Sequence, residues 1–193
     1  ELLKIVDLDI SGFMEPAEEV GGDYYDVLEH HGRVILGIGD VTGHGLESGM
    51  LMLMVQMAVR TLLACEVTDL ETFLTILNLS LLLLDRQGSV LHIAGQHEEV
   101  LVVRRGGLVE RIDTFELGFT IGLEEDIASF IGHVNVRLQP GDGIVLYTDG
   151  ITEAESPKGE LYGIERLSEI ISNNWSLPAS QIQQAVINNI LQH

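Results

Sequence analysis

The sequence lacks several features by which a chain often declares its class. It has a single cysteine, Cys65, among 193 residues, so no internal disulfide framework can form. A lone thiol suits a reducing compartment and predicts the cytoplasm. There are four prolines and no Pro- or Ser-rich stretch, so no linker divides the chain. Basic residues are scarce, 10 Lys and Arg against 30 Asp and Glu, for a formal net charge of −20. A general nucleic-acid binder needs a basic footprint to displace counterions, so no nucleic-acid partner is expected. Attraction to an anionic membrane surface is disfavoured on the same ground. The longest apolar stretch, Gly49 to Val59, contains Gln56. It falls short of the roughly 20 residues of a membrane span, so no membrane association is expected of this domain. The chain opens on Glu1 with no basic-then-apolar leader, which predicts no secretory signal and an excised piece of a longer protein.

What is present is a core. Hydrophobic residues make up 46% of the chain, too many for a disordered acidic segment, and the length fits one domain spanning residues 1–193. The pattern alternates between two regimes. Leu2 to Ile10 suggests a strand, and Arg33 to Gly39 a buried strand that stops at Asp40. Leu46 to Ala64 reads as a long helix with a narrow polar stripe of Gln56 and Arg60, apolar enough to be covered on most sides. Thr68 and Glu71 form a capping-box pattern for a second helix through Phe73, Leu74 and Leu77. Short apolar runs follow at Leu81–Leu84, Val90–Ile93, Val100–Val103, Leu108–Ile112, Val134–Leu138 and Ile144–Tyr147, with turn signals such as Gly106-Gly107 and Pro140-Gly141-Asp142-Gly143 between them. Hairpin-length connections predict mainly antiparallel pairing. Two closing helices, Ile164–Ile171 and Ala179–Leu191, complete an α+β pattern of helices on a largely antiparallel sheet.

Two segments share one design, a buried strand running into an Asp and a glycine turn: Gly37-Ile38-Gly39-Asp40-Val41-Thr42-Gly43-His44-Gly45 and Ile144-Val145-Leu146-Tyr147-Thr148-Asp149-Gly150. A third acidic segment, Gly21-Gly22-Asp23-Tyr24-Tyr25-Asp26, precedes another expected strand. A strand end holds an Asp in place while leaving its carboxylate accessible, and neighbouring glycines admit close approach. Hard divalent cations such as Mg²⁺ and Mn²⁺ take oxygen ligands of this kind. Each segment alone also reads as an ordinary turn with a satisfied Asp. A nucleotide-phosphate loop at Asp40 fits poorly, because neither the dinucleotide spacing nor a following Lys is present.

Together, Pro16-Ala17-Glu18-Glu19-Val20-Gly21-Gly22-Asp23-Tyr24-Tyr25-Asp26-Val27, Gly39-Asp40-Val41-Thr42-Gly43-His44-Gly45, Gly141-Asp142 and Leu146-Tyr147-Thr148-Asp149-Gly150-Ile151-Thr152-Glu153-Ala154 resemble the metal-dependent Ser/Thr protein phosphatases of the PPM (type 2C) group. The resemblance is to the bacterial branch of stage II sporulation protein E and the sigma-B regulator phosphatases, and Tyr162-Gly163-Ile164-Glu165-Arg166-Leu167 fits its continuation. It implies two stacked antiparallel sheets flanked by helices, an αββα sandwich, with two Mn²⁺ or Mg²⁺ ions at one edge. In the family's pattern Asp40 bridges both metals, the Val41 carbonyl binds one, Asp149 is a ligand of the other, and Asp23 supports the site directly or through water. Two cations roughly 3.5–4 Å apart lower the pKa of a shared water from about 16 toward about 7 for in-line attack on phosphorus. The implied substrate is a phosphorylated protein of the anti-sigma-factor antagonist type. The implied parent carries an N-terminal regulatory domain. In some relatives a His beside the bridging Asp protonates the leaving group; His44 stands at a different spacing and is not assigned that role.

Three departures stand out. The family's further Asp-containing segment does not follow Leu191-Gln192-His193, Asn78 runs almost directly into Leu79-Ser80-Leu81, and Ala94-Gly95-Gln96-His97-Glu98-Glu99 replaces the usual Ala-Gly-His-Asn, as a variant hairpin turn. The first keeps a second reading open, a catalytically weak interaction module of the same fold in signal relay. A two-metal phosphodiesterase or nuclease is disfavoured by the charge.

Overall fold

The computed structural model describes residues 5, 7–15, 22–40, 45–66, 80–85, 89–118 and 132–193. The capping-box helix and the Asn78–Leu79 junction lie outside them. The backbone divides into two compact units, one of residues 14–97 and 113–138, the other of residues 1–13, 98–112 and 139–193.

The first unit is built on a five-stranded antiparallel sheet. Its strands are β1 (Asp23–His30), β2 (Arg33–Asp40), β3 (Ser80–Asp85), β4 (Val90–Ala94) and β7 (His133–Arg137), in the order β1-β2-β3-β4-β7. The register between β1 and β2 is set locally. Only His31 and Gly32 separate the strands, and both have positive φ, 50° and 75°. Two successive left-handed residues make the two-residue turn whose twist matches that of paired strands. From that turn the ladder runs without a bulge from His30↔Arg33 to Asp23↔Asp40.

Helix α1 (Leu46–Ala64) packs on one face of this sheet. Val59 and Leu63, with Val55 and Leu62, meet Ile35, Leu83, Ala94 and Leu28. The helix is also braced to β1. The Arg60 guanidinium grips the Asp26 carboxylate through Nε (3.0 Å) and Nη2 (2.8 and 3.1 Å). On the same face the Tyr24 ring lies across Gly37, where a Cβ would stand 2.9 Å from Cε1; a glycine in mid-strand is what admits the ring. Burial of the Tyr24 hydroxyl, then the charge of Asp26, push its pKa far above the usual phenol range. The opposite face is buried too, with Val34, Leu82, Leu91 and Ile93 all but inaccessible.

The expectation that α1 is covered on most sides is corrected here. Leu46, Met50, Leu51, Leu53, Met54 and Met57 are exposed, and only Ser48, Gly49, Val59 and Leu63 are buried. One stripe suffices to dock a helix on a sheet, and apolar composition says nothing of what covers the remaining sides. The expectation of no span-length apolar segment is also revised. By length and composition alone α1 could cross a membrane, with 19 residues, a mean hydropathy of 1.3 and 22% of that window buried. Its docking on β1 and the Arg60–Asp26 brace are those of a helix in a globular layer.

The second unit holds a three-stranded antiparallel sheet, β6 (Val109–Ile112), β5 (Val100–Val103) and β8 (Gly143–Val145), in the order β6-β5-β8. Three helices belong with it: a single turn α2 (Asp149–Thr152), α3 (Ile164–Asn174) and α4 (Ala179–Leu191). All four residues of β5 are buried, and Leu101 and Val103 pack against Leu167, Ile171, Ile182, Tyr147 and Tyr162. The β5–β6 turn sits tightly on α3. Gly107 has φ +91°, and a Cβ there would meet the Ser172 carbonyl oxygen at 2.5 Å, so only glycine fits.

Two local expectations fail. Leu2–Ile10 is not a strand where it is described: Asp7 has φ 69° and the Leu8 amide donates to the Ile5 carbonyl (3.2 Å), a turn that buries Ile5. Asp9 instead accepts the Ala179 amide at the start of α4 (2.8 Å). Residues Ala94 to Glu99 form no hairpin, because β4 and β5 belong to different sheets. Two antiparallel sheets with helices otherwise bear out the α+β reading.

Candidate metal centre

Asp23 and Asp40 are the end pair of the β1–β2 ladder, directly opposite one another. Seven pairs beyond the turn-flanking His30↔Arg33, the alternation of an antiparallel ladder makes theirs a position without mutual hydrogen bonds. At such positions the facing Cβ atoms stand roughly 4.5–5.5 Å apart. Both residues lie on the face away from α1, at the sheet's open end, Asp40 exposed and Asp23 partly so. Like charges directly opposite destabilise a ladder. A cation between them turns that repulsion into attraction, and two carboxylates are the hard oxygen donors that Mg²⁺ and Mn²⁺ take. The donor chemistry therefore fits such an ion. Val41 and His44 lie outside the described residues.

Asp149 belongs to the other unit. β8 ends at Val145, and Tyr147 then turns into the core while Thr148 stays extended (φ −102°, ψ 165°), so that Asp149 opens α2. Its carbonyl accepts the Glu153 amide (2.7 Å) and the Thr152 hydroxyl (3.2 Å), and its carboxylate is exposed. Asp149-Gly150 is thus a helix start, where a strand-end turn is expected from sequence.

Glu98 was not among the expected site residues. Partial burial, then the negative charges of Asp149, Glu153 and Glu99, push its carboxyl above the usual range. Burial and the charges of Glu98 and Glu99 also raise the Tyr147 phenol, to about 12, so it holds its proton at neutral pH. Asp149 therefore sits in a concentrated negative field. The signal for Glu98 lies in the register: extending the β5–β8 ladder past Leu101↔Val145 carries Glu98 toward Thr148. Because the folded state holds Glu98 above its unfolded pKa, its charged form opposes folding at neutral pH and its protonated form does not. Glu98→Gln is expected to raise the urea midpoint at pH 7, with the gap to wild type closing as pH falls below the ordinary Glu range near 4.3.

Asp142 of the Gly141-Asp142 motif proves to be a brace. Its side chain is 5% exposed and accepts the Arg105 amide (2.8 Å), the Gln139 amide (3.1 Å) and Arg104 Nη1 (3.0 Å). Burial pushes its carboxyl up, but those donors outweigh it and hold the pKa below the usual range. Asp142→Ala strands them, and is expected to cost about 2–3 kcal/mol at pH 7 by urea denaturation. The loss shrinks in acid as pH falls through the depressed pKa and wild type surrenders the same bonds.

Among the described residues, no three His, Cys, Asp or Glu side chains gather into a ready-made metal cage. Asp23 and Asp40 are brought together; Asp149 is placed within its own unit, beside Glu98 and Glu153.

Residues 30–193 match the family model described as Stage II sporulation protein E. The chain is 22% identical over 200 residues to phosphoserine phosphatase RsbU of Bacillus subtilis, covering 95% of this chain and 58% of that protein. It is 24% identical over 215 residues to protein IcfG of Synechocystis, covering 86% of this chain and 32% of that protein. The chain thus spans about a third of one of these relatives and rather more than half of the other. The SiaA-PP2C domain of Pseudomonas aeruginosa shares the fold, with a TM-score of 0.77 at 19% identity, over 92% of this chain and 75% of that one.

Proposed function

Given that the chain belongs to the stage II sporulation protein E family, we propose that it is the catalytic domain of a metal-dependent phosphoprotein phosphatase acting on phosphoserine or phosphothreonine. The observation that carries this reading is the opposition of Asp23 and Asp40 at the open end of the β1–β2 ladder. RsbU, a relative, is named a phosphoserine phosphatase, and that relation supports the same substrate class here.

Bound Mn²⁺ or Mg²⁺, two ions in the family's pattern, would supply an activated water and offset phosphoryl charge. The chain's own residues would hold them. Asp40 and Asp23 would offer carboxylate oxygens from a rigid ladder, with the Val41 carbonyl next in sequence, and Asp149 is the further ligand that the family's pattern assigns. Glu98 and Glu153 deepen the negative potential around Asp149, which favours a cation and repels an unaccompanied phosphate.

The substrate is a phosphorylated regulator of the anti-sigma-factor antagonist type, in a cytoplasmic partner-switching pathway, with a regulatory domain N-terminal to this one in the parent. The exposed lone thiol of Cys65 accords with a reducing compartment. A catalytically weak interaction module of the same fold in signal relay is the second reading.

The full-length protein, stripped with EDTA and reloaded with Mn²⁺, is expected to release phosphate from a phosphoserine protein and to lose that activity on re-chelation. An intact, Mn²⁺-loaded protein that releases none would overturn the phosphatase reading.

A further inference from the structure

In a chain this acidic, three arginines are matched to carboxylate side chains. Arg60 pairs with Asp26, Arg104 with Asp142 and Glu110, and Arg111 with Glu99 and Glu165. Arg166 is held differently. Its guanidinium carbon lies over the Tyr162 ring at 5.5 Å, and Nη1 meets Nδ1 of His193. These supports are themselves fixed. Tyr162 is buried and donates its hydroxyl proton to Asn189 Oδ1 (2.8 Å). His193 packs edge-on against the Tyr162 ring with centroids 5.6 Å apart, and its Nε2 stands 2.8 Å from the Glu160 carbonyl oxygen. A carbonyl oxygen can only accept, so Nε2 carries the proton and Nδ1 is left to accept from Arg166.

Arg166 is therefore oriented by a phenol ring and an imidazole in place of a carboxylate side chain. It lines an open cavity of about 620 Å³ together with Lys158. Lys158 is presented by the tight turn after α2: the Ser156 hydroxyl accepts the amides of Lys158 (3.3 Å) and Glu160 (3.1 Å), and Gly159 takes φ +76°. Glu160 is the one carboxylate side chain among the described lining residues, set against the two cationic side chains of Lys158 and Arg166.

We propose that this cavity is a phosphate-binding site, separate from the Asp23–Asp40 pair, that takes a phosphoryl group carried on a protein side chain. A pre-oriented guanidinium forks onto two phosphate oxygens, and an adjacent ammonium adds a mobile point charge. A compact dianion gains from both cations at once, whereas a carboxylate carries half that charge. The volume admits the phosphoryl group and the residue bearing it. The site needs no catalytic turnover, so its occupancy is independent of the phosphatase reading.

The test is fluorescence anisotropy on the full-length protein in EDTA, which removes any metal-borne phosphate site. The probe is a labelled phosphoserine peptide, with its unphosphorylated twin as control and inorganic phosphate as competitor. The phosphopeptide is expected to bind at least tenfold tighter than its twin. Arg166→Gln is expected to weaken it about tenfold or more, and Lys158→Gln, at an exposed turn that tolerates change, several-fold. Asp40→Ala should leave it within twofold. Calorimetric binding of inorganic phosphate with no anisotropy response from the phosphopeptide would assign the site to the free anion and overturn the proposal of a protein-borne phosphoryl group. Equal binding of the two peptides with no phosphate competition, retention within twofold in both cation variants, or loss of binding in Asp40→Ala would each overturn the proposal.

Discussion

Asp40→Ala is expected to reduce Mn²⁺-dependent phosphate release by more than about 100-fold while leaving the fold intact. Losing a group that merely orients a metal ligand costs about 10–100-fold in affinity or activity, and a direct ligand costs more. Asp40 closes β2 at an exposed position, and no core side chain is lost with it. A substitution at such an exposed position is expected to move the urea midpoint of the metal-free protein little. These two signs together separate a ligand from a structural residue: activity collapses while apo stability does not. Asp149→Ala should behave similarly in activity, since its carboxylate is exposed and its helical turn is held through its backbone. Turnover within tenfold of wild type in Asp40→Ala, measured with saturating Mn²⁺, would rule out Asp40 as a metal ligand.

The largest stability effect is expected at Leu101→Ala, a loss of about 2–5 kcal/mol by urea denaturation. Leu101 is fully buried at the centre strand of the three-stranded sheet and packs on α3 and α4 through Leu167, Ile171 and Ile182. Truncation leaves a void walled by regular elements on both sides, which can collapse little. Leu46→Ala in α1, at a leucine 73% exposed, is expected to change stability by less than about 0.5 kcal/mol. A small effect at Leu101 would mean that the β5 layer is not the core of its unit.

The paired carboxylates were closer to legible than the segments taken singly suggest. His30-His31-Gly32-Arg33 sits midway between Asp23 and Asp40, and a two-residue turn there places them in register. His at a left-handed position is an uncommon turn residue, so this signal is weaker than Asn-Gly, and the acidic segment expected to precede a strand is itself the start of β1. Asp26 looked like part of the acidic segment, yet its partner Arg60 is 34 residues away on α1. Asp142 looked like motif chemistry and is a turn brace reaching 38 residues back to Arg104. Glu98 passed as turn material because its neighbours Asp149 and Glu153 arrive through β8 and α2.

From sequence alone came the elements that local periodicity and turn chemistry specify: six of the later β runs, the long apolar helix, the two closing helices, the antiparallel habit and the three Asp-bearing segments. Hydrophobic period and left-handed turn residues act within a few neighbours, so they survive in one dimension. Only the tertiary structure decided which strands share a sheet, that α1 docks by one stripe and exposes its leucines and methionines, and which carboxylates face each other and which are neutralised. Burial and charge pairing depend on groups tens of residues apart meeting across the fold, where Coulomb and packing energies are set by distance in space and not by separation along the chain.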